Sequence, residues 1–248
     1  MSGQGANMHT ETISYTANGT TLKGYLAYDQ GADAERPGVL VVHEWWGLND
    51  YIRRRARMLA ELGYTALAVD MYGEGQIADN PEDAGSLMNA VLQDMEQGEV
   101  RLKAGYALLK GQSTTDAAHV AAIGYCFGGA VVLHAARIGM DLDGVVSFHG
   151  SLGAAHKPAP GSVRARILVC HGAADSLVPD ADVAAFKQEM EEAGADIRFE
   201  AYEGALHGFT NPDADENGKK YGLPLAYSAE TDRRSWQAMQ DFFKEIFA

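Results

Sequence analysis

At 248 residues, with 46% hydrophobic and 22% charged side chains, the chain has a globular balance and enough length to bury one large core. Its 34 acidic residues against 20 Lys plus Arg leave a formal charge of -14, which repels nucleic acid and anionic lipid and argues against both as partners. No composition shift marks a linker, no run of about 18 apolar residues suggests a membrane span, and the opening lacks a signal-peptide pattern. The expectation is therefore one domain over residues 1–248, cytoplasmic, with no membrane association. Two cysteines, Cys126 and Cys170, without C-x-x-C spacing, suit a reducing compartment and neither a disulfide scaffold nor a zinc site.

In chain order, the first ten residues, MSGQGANMHT, are small and polar and are expected to fray. Ile13–Thr16 and Leu22–Tyr28 read as two short strands around Asn18-Gly19, a strong hairpin signal. Gly38–His43 is a buried-type strand, and Asp50–Leu62 a helix with Ile52, Ala56, Leu59 and Ala60 at helical spacing. The basic run Arg53-Arg54-Arg55 with Arg57 falls on this helix and is expected to form a solvated face. Thr65–Val69 is a strand ended by Asp70. Pro81, preceded by Asn80 as cap, opens a long helical region to about Leu109, weakened by Gly85, Gly98 and Gly105. His119–Tyr125 is a strand that runs through Cys126 into a helix over Phe127–Ile138. Val145–Phe148 and Arg166–Cys170 are strands, Pro179–Glu192 a helix, Asp196–Ala201 a last strand and Thr231–Ile246 an amphipathic helix. The polar stretch 211–227 is expected to be a long loop or broken helix covering the site. Strands separated by helices of this length pair in parallel through right-handed crossovers, so the fold class is α/β, a mostly parallel sheet with helices on both faces. Ligands bind such sheets beyond the carboxyl ends of the strands, which makes strand-ending residues the candidates for chemistry.

Gly124-Tyr125-Cys126-Phe127-Gly128-Gly129 is the sharpest of these endings. It matches the G-x-nucleophile-x-G elbow with Cys in the nucleophile's place, between a strand and a helix. Small residues two positions either side are needed because the turn is too tight for side chains there, and the first-turn N–H groups of the helix favour a thiolate. Cys170, ending an apolar strand without that turn, reads as structural. His171-Gly172-Ala173-Ala174-Asp175 places Asp175 in a post-strand loop, either as the acceptor that orients a catalytic histidine or as a solvated helix cap; His171 itself reads as structural. Gly204-Ala205-Leu206-His207-Gly208-Phe209 offers His207 as the base on a loop after the last strand. The order nucleophile, acid, histidine is that of α/β hydrolases. His9, His119, His134, His149 and His156 are weaker candidates. His43-Glu44-Trp45-Trp46-Gly47 ends an early strand at the same edge of the sheet. The N–H groups of Phe127 and Trp45 are the candidate oxyanion hole. Glu44 either pairs with Arg53 or Arg54 or meets the thiol. Trp46, Tyr72 and Phe209 are candidate pocket residues.

Together, HEWWG at 43–47, DMYG at 70–73, GYCFGG at 124–129, HGAAD at 171–175 and HGF at 207–209 resemble the ordered signature of the dienelactone hydrolase, or carboxymethylenebutenolidase, family over about residues 11–247. The resemblance implies an α/β-hydrolase fold and a triad of Cys126, His207 and Asp175. It also implies an oxyanion hole from Trp45 and Phe127, with Glu44 contacting the thiol and taking its proton when substrate arrives. Members are usually monomeric and need no cofactor or metal. Family members active on dienelactone carry two arginines, one shortly after the D-x-Y segment and one four residues after the catalytic His. Here those places hold Gly73-Glu74-Gly75-Gln76 and Asn211. Neither Glu nor Asn replaces a bidentate grip on a carboxylate, so a neutral or bulkier ester or lactone is expected in place of dienelactone. The expected reaction is acyl transfer to sulfur followed by hydrolysis of the thioester. A thioesterase or acyltransferase on the same fold, and a non-catalytic small-molecule binding protein, are the alternatives.

Overall fold

The computed structural model describes residues 7–31 and 34–248. Within it the strands order as β1-β2-β4-β3-β5-β6-β7-β8 in one mixed, mostly parallel sheet, with helices on both faces. Contacts divide the chain into two compact units, one through Ala121 and one from Ala122. Strand β5 (Thr115–Tyr125) runs from the first into the second.

In the first unit β1 (Met8–Ala17) and β2 (Thr20–Asp29) form the expected hairpin. Asn18 (φ 44°) and Gly19 (φ 79°) are both left-handed, as a two-residue turn between twisted strands requires. Both strands outrun their hydrophobic signal because ladder hydrogen bonding needs no apolar side chain. Met8, His9 and Thr10 therefore pair with Asp29, Tyr28 and Ala27 instead of fraying, while residues 1–6 lie outside the described residues. The β2 strand also pairs antiparallel with β4 (Thr65–Val69), which pairs in parallel with β3 (Arg36–Val42). Every residue of β4 is buried, without alternation, as in a strand covered on both faces.

Helix α1 (Asp50–Glu61) is capped by Asn49, whose side chain accepts the Ile52 N–H, and it buries Ile52, Ala56, Leu59 and Ala60 as its spacing predicts. The solvated basic face is not observed. Arg55 is 1% exposed with its guanidinium 5.3 Å from the Tyr51 ring centre, Arg53 and Arg57 lie over Tyr25, and only Arg54 of the four is exposed. Flat guanidinium groups on aromatic faces can be buried where an ammonium would resist. The long helical region is two helices, α2 (Pro81–Gln93) and α3 (Met95–Lys110), and it breaks at Asp94 and at none of its glycines. Asp94 leaves the helical conformation (φ -131°, ψ 69°), and its carboxylate accepts the Gln97 N–H as cap of the second helix.

In the second unit α4 (Phe127–Arg137) packs on β6 (Gly144–Phe148). Strand β6 pairs in parallel with β7 (Arg166–Gly172), and β7 with β8 (Ile197–Tyr202). Helices α5 (Asp180–Glu192), α6 (Ala214–Tyr221) and α7 (Ala229–Ile246) complete it, with α6 lying inside the stretch read as a loop or broken helix. Arg137, 1% exposed, anchors the Gly/Pro-rich excursion after β6. It donates to the Leu152 and Gly153 carbonyls and pairs with Glu189 at 2.6 Å. Among the described residues no helix is long and apolar enough to cross a membrane.

Candidate active site

Cys126 sits between β5 and α4 at φ 54° and ψ -116°, a region that costs a non-glycine residue about 1–3 kcal/mol. The strain is held from both sides: its N–H donates to the Phe148 carbonyl at 3.0 Å, and its carbonyl accepts the Ala130 N–H at 3.3 Å. A Cβ on Gly124 would collide with the Gly128 carbonyl, so the small residue the motif requires is required by backbone against backbone. The Cys126 side chain makes no capping bond to its own helix, and its sulfur points to the imidazole of His207, with Nε2 to Sγ 3.1 Å.

His207 follows β8 on a loop that is tied down at both ends. Its carbonyl accepts the Ala226 N–H, residues 207 and 225 form an isolated bridge, and the Ala205 carbonyl accepts the Ala174 N–H from the neighbouring loop. That neighbouring loop, after β7, carries Asp175. One carboxylate oxygen accepts the Leu177 N–H at 2.9 Å and the other faces His207 Nδ1 at 2.7 Å. Asp175 is therefore the partner of the His207 imidazole and not a solvated cap; it is buried, 4% exposed. Burial by itself disfavours a charged His207. No single partner outweighs it, but the Cys126 sulfur and the Asp175 carboxylate, through charge and hydrogen bonding together, push the imidazole up from 6.5 to about 10. Cys126 thus faces an imidazole held toward its protonated form, at the N-terminus of α4, where helix N–H groups favour negative charge.

Cys170 and His171, expected to be structural, both lie within β7 and are buried. Cys170 is fully buried, beside the Tyr202 hydroxyl at 3.8 Å, and burial pushes its thiol up, away from thiolate. Burial also pushes the His171 imidazole down; its ring lies 5.6 Å from that of Phe199. Phe209 is fully buried against the rings of His149 and Tyr202, where it supports the His207 loop from beneath. Asn211, at the place of a family arginine, accepts the Asp213 N–H and starts the turn into α6.

In the first unit the HEWWG and DMYG segments are locked together. His43 Nδ1–H donates to the Glu44 carbonyl at 2.6 Å and its Nε2 accepts the Met71 N–H at 3.1 Å, a neutral imidazole in a site where burial holds it down to about 4. Asp70 accepts four backbone N–H groups, from Lys23, Tyr72, Gly73 and Gly75, and so shapes the loop after β4. The Tyr72 hydroxyl donates to the Trp45 carbonyl at 2.8 Å. Glu44 and Trp46 are buried, and the rings of Trp45 and Trp46 lie 5.0 Å apart. Tyr72 also lines a cavity of about 210 Å³ with Gln76, Val91, Asp94 and Arg101. Arg101 donates to the Met71 carbonyl at 2.7 Å; the sequence reading missed it because the cation comes from α3, well downstream of the segment it meets.

His149, among the weaker histidine candidates of the sequence, lies beside the line from Asp175 through His207 to Cys126. It directly follows β6, is fully buried, and has a left-handed φ of 41°. Its ring centre lies 5.4 Å from that of His207. Its position just past a strand's carboxyl end was the available signal.

A nucleophile at a strand-to-helix elbow, an acid after a later strand and a histidine after the last, in one hydrogen-bonded line, define an α/β hydrolase. The chain belongs to the dienelactone hydrolase family, whose family model matches residues 22–247. That kinship and the site's geometry make it a carboxylic-ester hydrolase. It is similar over 98% of its length to the solved structure of a dienelactone hydrolase-like promiscuous phosphotriesterase from metagenomic libraries. The two are 37% identical, with TM-score 0.89 and 99% of that chain covered. A structure named m3DLH is 39% identical, with TM-score 0.90, covering 98% of this chain and all of that one. Protein usf of Aquifex pyrophilus is 29% identical over 240 residues, 95% of this chain and 98% of that protein.

Proposed function

We propose that the chain hydrolyses neutral carboxylic esters and lactones through a thioester on Cys126, with His207 as acid and base and Asp175 as its orienting partner. The observation that carries this reading is the continuous line from Asp175 through His207 to the Cys126 sulfur, 2.7 and 3.1 Å, at a strained elbow. The thiolate adds to the ester carbonyl, the tetrahedral oxyanion takes the Phe127 N–H, and collapse expels the alkoxide, which takes the Nε2 proton of His207. Water then attacks the thioester as His207 recovers a proton from it, and the acid leaves with the thiolate restored.

For Glu44 and Trp45 the proposal rests on the HEWWG motif. The Trp45 N–H is assigned as second oxyanion donor and Glu44 as the group that contacts the thiol in the resting enzyme and takes its proton when substrate arrives. Trp46 and Tyr72 are assigned to the substrate pocket, and Phe209 supports it from behind. Gly73 to Gln76 and Asn211, standing where the family's arginines would be, favour an acyl group without a free carboxylate. All three triad members come from one chain, which suits a monomer, and two unbridged cysteines suit the cytoplasm.

The test is a panel of p-nitrophenyl esters and small lactones, with and without a free carboxylate, on wild type and Cys126→Ala. Neutral substrates should turn over, their carboxylate-bearing analogues should lag on the order of 10-fold or more for want of a charge-assisted hydrogen bond, and Cys126→Ala should be inactive. Hydrolysis by Cys126→Ala at the wild-type rate would overturn the proposal. Added alcohols or amines that divert the acyl group from water would favour the acyltransferase reading. Similarity to a promiscuous phosphotriesterase supports a second activity. In it the same thiolate attacks phosphorus, expels an aryloxide, and leaves an S–P bond for water to cleave; release of p-nitrophenolate from a dialkyl aryl phosphate, absent in Cys126→Ala, is its test.

A further inference from the structure

We propose that His149 is a positioning residue that holds the His207 ring in its working plane once Cys126 has been acylated; the inference rests on the hydrolase reading above. In the resting site two directional contacts aim the imidazole, Asp175 at Nδ1 and the sulfur at Nε2. An acylated sulfur is no longer an anionic acceptor, and Nε2 has to face water instead. One hydrogen bond, at Nδ1, is then left to orient a ring that can pivot about it. What remains is packing, and His149 supplies it: its ring stands at 66° to that of His207, centres 5.4 Å apart.

The placement of His149 is itself tightly determined. Its N–H donates to the Cys170 carbonyl at 2.9 Å, and its Nε2 lies 2.7 Å from the Thr210 hydroxyl. Thr210 is fully buried and belongs to the loop that carries His207, so the two imidazoles are referenced to the same stretch of backbone. Phe209 packs edge-on at 4.9 Å and the Tyr125 ring lies at 6.1 Å, which leaves the His149 ring no open side to swing into. A polar ring in a fully buried place, on backbone that a non-glycine residue avoids, is an expensive arrangement for packing alone.

The consequence is a split between the two half-reactions. Departing p-nitrophenolate needs no proton, so acylation by a p-nitrophenyl ester asks little of the His207 orientation. Deacylation needs Nε2 aimed at the attacking water: water's oxygen adds to the thioester carbonyl, one of its protons goes to Nε2, and the C–S bond breaks to release the acid and the thiolate. Misdirection of a reacting group by about 1 Å costs on the order of 100-fold.

The experiment is rapid mixing with p-nitrophenyl acetate, with the nitrophenolate burst reporting acylation and quenched samples weighed by mass spectrometry reporting decay of the acyl-enzyme. His149→Asn, which tolerates the left-handed backbone, should keep the burst rate and slow the decay on the order of 10- to 100-fold. His149→Phe, which returns a ring without the Thr210 hydrogen bond, should recover part of the decay rate and no more of it than Thr210→Val retains. Thr210→Val, which releases the His149 ring without removing it, should slow the decay and spare the burst; it carries the test should His149→Asn not fold. Equal slowing of both phases, unchanged decay, or no recovery in His149→Phe would overturn the inference. A wild type that forms no acyl-enzyme at all would instead overturn the hydrolase reading.

Discussion

Removing the sulfur of Cys126 should release the proton held on His207. The two atoms are 3.1 Å apart, and unit charges at that distance attract by about 5 kcal/mol at an effective dielectric constant of about 20. That is the equivalent of about 3.5 to 4 pKa units, which joins the hydrogen bonds and the Asp175 charge in overcoming burial and lifting the imidazole from 6.5 to about 10. In Cys126→Ala the attraction is gone while burial and Asp175 stay, so His207 should titrate about 3 units lower than in wild type. NMR of the His207 ring carbons across pH 5 to 11, as a range of roughly physiological and alkaline conditions spanning the imidazole, reads this directly. The sign for stability follows. A folded pKa above the unfolded one gives stabilisation that is complete below pH 6.5 and is lost as pH rises through about 10. Wild type should therefore lose more stability than Cys126→Ala between those values in urea titrations. A His207 that titrates at the same pH in both proteins would refute its charge coupling to Cys126.

Three further perturbations test the frame around that pair. Asp175→Asn replaces a buried carboxylate that faces His207 Nδ1 at 2.7 Å and removes a charge-assisted bond worth about 1.5–3 kcal/mol, so kcat/KM for a neutral ester should fall roughly 10- to 150-fold with the fold intact by circular dichroism. In Gly124→Ala the new methyl meets the Gly128 carbonyl, and chemical denaturation should show a loss of about 3 kcal/mol or failure to accumulate soluble protein. Glu189→Gln strands a guanidinium that is 1% exposed, and the urea midpoint should drop by an amount corresponding to about 3 kcal/mol.

Much of this architecture was legible because its signals are local. Ala66–Val69 is an uninterrupted apolar run before Asp70, opened by the β-branched Thr65, and the strand has the expected bounds Thr65–Val69. The elbow was legible for the same reason, since Gly124 and Gly128 flank Cys126 symmetrically and the need for a glycine at 124 is steric. Asp175 and His207 are 32 residues apart and were linked by the order of motifs, which stands in for the sheet topology that brings strand ends to one edge. What stayed hidden depends on partners distant in sequence or on competition within a segment. Asp94 ends one helix by capping the next, and apolar spacing across it looks continuous. Arg55 reads as a surface charge until the Tyr51 ring is beneath it. Helix α6 lies in a polar stretch with no apolar stripe to announce it. The role of His149 needs Thr210, 61 residues further on, to fix the ring.

The most direct measurement of the central claim is the mass of the protein quenched during turnover of a p-nitrophenyl ester, followed by peptide mapping. One acyl group, bound as a hydroxylamine-labile thioester at Cys126, is the predicted result. Turnover with Cys126 unmodified throughout, or with the acyl group on another residue, would contradict the account.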